Sequence, residues 1–177
     1  MKKQTYLTAA VAVLTMGITG TLLFGQQPHP PEQTKSHQHM EEMNKRGNQH
    51  MGFDQLKTTH HFILARDGGS IKVEANDRKD KTSRDQIRQH LGHIAMMFSA
   101  GNFATPMLVH DETPPGTEAM KQLKTEIKYE LKKTERGALI RISTGNADAL
   151  QAVHEFLRYQ IKEHMTGDPL ELTSEEK

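Results

Sequence analysis

An α+β two-layer sandwich of order ββαββα is predicted by two periodicities in residues 53–170. Two stretches alternate apolar and polar residues around a turn signal, and each is followed by a segment with an apolar residue every three or four positions. A hairpin followed by a helix, given twice, reads as a divergent internal duplication. Two such units close one four-stranded antiparallel sheet and lay both helices on one of its faces.

The elements follow in order. Phe62 and Leu64, then Ile71, Val73 and Ala75, alternate across Asp67-Gly68-Gly69 and predict the first hairpin. Ser83, with Gln86 three residues later, resembles a capping box and marks a helix start. Ile87, Leu91, Ile94 and Phe98 give that helix its apolar stripe, and Gly101 ends it. Residues 106–116 read as a proline-rich loop from which Met107, Leu108 and Val109 dip toward the core, and residues 117–124 as a short helix. Ile127, Tyr129 and Leu131, then Ile140 and Ile142, flank Thr134-Glu135-Arg136-Gly137 and predict the second hairpin. A second long helix starts near Ala147, carries Leu150, Val153, Leu157 and Ile161 on one face, and runs out toward Gly167 and Pro169. The duplication is echoed in detail, since Gly69-x-Ile71-x-Val73 matches Ala138-x-Ile140-x-Ile142.

The flanks have a different composition. Lys2 and Lys3 precede an apolar stretch at 6–24, so residues 1–25 read as an export signal, or as an anchor if uncleaved, with the rest of the chain outside the inner membrane. Residues 26–52 are rich in Gln, Pro, His and charge, with methionine as the main apolar side chain, and read as a disordered tether. Residues 171–177 read as a flexible tail. The chain has no cysteine, which excludes disulfides, lipid attachment at a thiol and thiol catalysis. Lys plus Arg number 23 against 22 Asp plus Glu, and no basic cluster interleaves with aromatics, so nucleic-acid binding is disfavoured.

Three short motifs carry a family likeness. T-T-H-H-F at 58–62, H-D-x-x-P-P-G at 110–116 and M-G-F-D-Q at 51–55 together resemble an uncharacterised family of exported bacterial proteins, over roughly residues 51–168. The resemblance implies one export-competent domain and carries no implication of activity.

Function therefore rests on the side chains. Eleven histidines and ten methionines without a cysteine form a ligand set of imidazole and thioether, which bind transition metals and persist where free thiols would oxidise. On the first long helix His90 and His93 are neighbours at i,i+3, with Met97 one turn on as a soft third ligand. An even number of residues in the first hairpin loop turns His60 toward the core, and an odd number turns His61 inward instead. His154 falls among the apolar residues of the last helix and needs a ligand, a hydrogen bond or a stacking partner. His110, beside Asp111, reaches over the helix ends, whereas His164 at a helix C-terminus is explained by the helix dipole. The candidate metal ligands are thus His60, His61, His90, His93, His110 and His154. The tether adds His37, His39, Met40, Met43, His50 and Met51 as a weaker capture segment.

The expected function is an exported, periplasmic or membrane-tethered transition-metal-binding protein, copper before zinc, that buffers the ion or passes it to a delivery partner. Contact with a membrane is expected only through an uncleaved N-terminal segment. One alternative is a histidine-ligated metalloenzyme with Asp111 or Glu155 as base, although no His-Glu-x-x-His or nucleophile motif is present. Another is a module without metal that binds a small ligand or a protein on the open sheet face near Ile63 and Ala65.

Overall fold

The computed structural model describes residues 31–172, with side chains from residue 37 onward. The expected export segment at 1–25, residues 26–30 of the tether and residues 173–177 of the tail lie outside the described residues. No helix among the described residues is long and apolar enough to cross a membrane.

The strands are β1 (Thr58–Ala65), β2 (Gly68–Ala75), β3 (Ile127–Lys133) and β4 (Gly137–Thr144). They form one antiparallel sheet in the order β1-β2-β4-β3, so the two hairpins meet along their second strands. Phe62 pairs with Ile71, Ile71 with Ile140, and Ile140 with Leu131, which lines up one apolar row across all four strands. Alternation puts Lys72, Arg141, Glu130 and Lys132 on the other face, where charge remains in water. The two long helices, α2 (Lys81–Ser99) and α5 (Ala147–Glu163), cover the apolar face, α2 toward β3 and β4 and α5 toward β1 and β2. This is the hairpin-helix duplication that the periodicity predicts.

Three segments differ from expectation. Helix α2 begins before Ser83, because Asp80 caps it: the Asp80 carboxylate accepts the Ser83 N–H at 2.9 Å and the Ser83 hydroxyl at 2.7 Å. Part of the expected proline-rich loop is a short helix, α3 (Ala104–His110). Pro106 lies in its first turn, where a missing N–H costs nothing. Val109 is buried, while Met107 and Leu108 are exposed, so one residue of the expected three dips inward. A second short helix, α4 (Thr117–Gln122), stands where one was expected.

The largest difference is the tether, which over Pro31–Met51 is a helix, α1. Proline suits a first helical position. Met40, Met43, Gly47 and Met51 recur at intervals of three and four, placing a methionine stripe on one side. Met43 is 1 % exposed. The helix packs on α3, and the Arg46 Nε donates to the Val109 carbonyl at 2.7 Å. Composition alone argued for disorder because it counts apolar residues without their spacing.

Candidate functional site

The first hairpin loop is Arg66-Asp67, since Ala65 pairs with Gly68, and this even count decides the facing of β1. His60, opposite Val73, shares the core face with Phe62. His61 lies on the outer face, its Nδ1 3.0 Å from an Asp168 oxygen whose partner oxygen accepts the Phe62 N–H.

Helix α5 ends at His164, four residues beyond buried Gln160 on the stripe that includes Val153 and Phe156. The His164 ring stacks on His60 at a centroid distance of 5.2 Å and meets His110 edge-on at 5.1 Å. His110, the last residue of α3, is 6 % exposed. Its Nε2 lies 3.0 Å from the Gln160 Oε1 and donates to it, while its buried Nδ1 has no hydrogen-bond partner. From α2, His90 meets Phe53 edge-on at 5.4 Å, and Phe53 also stacks on His60. Four imidazoles from β1, α2, α3 and the end of α5 thus surround one cavity of about 50 Å³, closed by Met51, Gln160 and apolar side chains of the core.

Burial makes these rings poor bases. It lowers the pKa of His60 to about 4, helped by His90 and His61, and that of His90 to about 4, helped by His93. The same loss of solvation carries His164 well below the usual imidazole value, reinforced by His60 and His110. His110 is lowered too, although its bond to Gln160 opposes the shift. At neutral pH the rings are uncharged, and each has a nitrogen lone pair. The side chains of His60, His90 and His164 make no hydrogen bond among the described residues. No three His, Asp or Glu side chains among those residues already converge on a common ion position.

Of the six candidate ligands, the fold brings His60, His90 and His110 together and keeps three apart. His61 pairs with Asp168 outside the sheet. His93 is exposed in a neighbouring groove with His50. His154 turns its Nε2 to the Ala65 and Gly68 carbonyls, at 2.9 and 3.0 Å, and so braces the first hairpin turn. Met97 does not join His90 and His93, because its sulfur accepts from Thr105 at 3.9 Å. The residue that sequence reasoning set aside is His164. The helix dipole accounts for a histidine at that position, but the i+4 step from Gln160 also continues the buried stripe, and that signal was available.

The alternatives meet the same geometry. Asp111 and Glu155 are exposed and do not line the cavity, and Glu155 accepts from Gln151 at 2.9 Å. Ile63 is 40 % exposed on the outer face. No family model, curated protein or solved structure matches this chain.

Proposed function

We propose that the protein binds one transition-metal ion, copper in preference to zinc, through His60, His110 and His164 with His90 beside them, and that it does so outside the cytoplasm to buffer the ion or hand it to a delivery partner. The observation that carries this reading is that four uncharged imidazoles from four elements line one small cavity. Ligation needs unprotonated nitrogen, and burial holds these rings unprotonated. With metal–nitrogen bonds of about 2 Å at tetrahedral angles, two imidazoles on one ion have centroids about 5 Å apart. The His60–His164 and His110–His164 centroids stand 5.2 and 5.1 Å apart, within reach of a shared ion once the stacked His60 and His164 rings turn their nitrogens toward it. The unpaired Nδ1 of His110 is a ready donor, and rotation of the other rings completes the set.

The cavity lining supports the choice of ion. No carboxylate is part of it, which disfavours magnesium, calcium and manganese, and the Met51 thioether favours copper over zinc. Its 50 Å³ is far below the roughly 300–1,000 Å³ of organic-ligand pockets, which counts against the small-ligand reading.

The test is thermal unfolding of the untagged full chain, metal-free and with Cu(II), Cu(I) or Zn(II). A hundredfold excess over Kd should stabilise the fold by about 2.7 kcal/mol. His60→Ala and His164→Ala should remove most of that shift. Absence of a shift with all three ions would refute the reading.

A further inference from the structure

Two hollows share one wall in this molecule. Outside the histidine cavity lies a surface groove of about 310 Å³ lined by His50, Met51, Gln86, Gln89, His90 and His93. Met51 and His90 line both the groove and the cavity. We infer that the cavity is loaded from this side, His50 and His93 first taking the ion from solvent and Met51 and His90 passing it inward. The inference rests on the metal-binding reading above and adds the route and the residues that serve it.

The chemistry of each position fits its place. His50, in the last turn of α1, and His93, on α2, are both exposed, and the groove is roomy enough for a hydrated ion. His90 stands three residues from His93, so their rings are neighbours on the helix surface, and the influence of His93 on His90 reflects that closeness. Met51, where α1 ends before Gly52 at φ 75°, is partly buried against the core. Its unbranched thioether is a soft ligand that changes rotamer readily, which suits a side chain that must bind briefly and swing. Passage is ligand exchange from imidazole to thioether to imidazole, without change of oxidation state.

The seam of α1 with α3 and α5 is braced. There Arg46 holds the Val109 carbonyl at 2.7 Å, His39 holds Glu163 at 2.8 Å, and the Tyr159 hydroxyl donates to Glu112 at 2.5 Å. Met51 and His90 make no such hydrogen bond among the described residues, so displacing their side chains breaks none.

Stopped-flow mixing of the untagged full chain with Cu(II) tests the route. The chain has three tyrosines and no tryptophan, and Tyr159 touches His110, so copper arrival is read as loss of tyrosine fluorescence. The double variant His50→Ala/His93→Ala, altered at exposed positions, should load about tenfold more slowly while final occupancy and the copper-induced melting shift stay at wild-type values. Met51→Ala removes the relaying thioether and should likewise slow loading, and wild-type loading in it would count against the relay. Wild-type loading rates in the double variant, with occupancy intact, would overturn the route and leave the binding site standing. Lost occupancy in that variant would also overturn it, by making the outer histidines part of the final site. A wild-type chain whose fluorescence ignores copper would overturn both the route and the site.

Discussion

The histidines of this fold divide by what their rings touch. His154 meets two backbone carbonyls of the first hairpin turn and makes its contribution as a structural hydrogen-bond donor. Replacing it with alanine leaves that turn without its brace and should cost about 1–3 kcal/mol in urea unfolding. The copper-induced shift should survive, which separates this histidine from His60 and His164. The cavity histidines set the acid response of the metal-free protein. Their folded-state pKa lies below the unfolded value near 6.5, so the folded chain binds fewer protons, and stability is lost as pH falls. The loss begins near 6.5 and continues toward 4, with a slope of up to about 1.4 kcal/mol per pH unit for each histidine. Urea midpoints measured between pH 7.5 and 4 should show that decline, and His60→Phe should make it shallower by one histidine's share. A midpoint constant over this range would mean that the rings are solvated.

Among the elements, the short helices close the core between the hairpins. Gly116 precedes α4 at φ 82°, and a β-carbon there would stand 2.1 Å from the Ala152 carbonyl oxygen of α5. The glycine is what lets α4 approach α5 so closely. Gly116→Ala should destabilise the fold by about 3 kcal/mol, from left-handed backbone strain together with overpacking. Thermal unfolding checks this, and a neutral outcome would mean that the two helices separate without cost. The sequence reading of this region found α4 but missed α3, because prolines suggested a loop. Pro106 sits at a helical position that tolerates it, and only the burial of Val109 and His110 against α5 and α1 makes seven residues worth ordering as a helix.

At the scale of the molecule, α1 and α3 lie over the open end of the sandwich and complete the cavity between α2 and α5. Met43, Met51 and Val109 come from this cover. Deleting residues 31–51 should therefore lower stability by about 2–5 kcal/mol, chiefly through the buried Met43. It should also speed copper loss to EDTA by exposing the cavity. An unchanged unfolding midpoint would restore the reading of this segment as a tether. Whole-chain assembly is also what gathers the cavity histidines: residues 60, 90, 110 and 164 belong to four elements, and sheet order, loop length and helix ends must all be fixed before their rings meet.

The sequence by itself determined the two hairpins, the two long helices, the sheet they share and the apolar faces that join them, because these depend on periodicities of two and 3.6 that any few consecutive residues display. It also marked His60, His90 and His110 as candidates, from residue type and phase. Tertiary structure decided the rest. The two-residue loop turned His60 inward and His61 out, a choice of parity that periodicity left open. Packing of α5 carried His164 into the cavity and His154 onto a hairpin turn. Contact with α3 gave the methionines of α1 a surface to bury, and an isolated helix of such polar composition gains little without one.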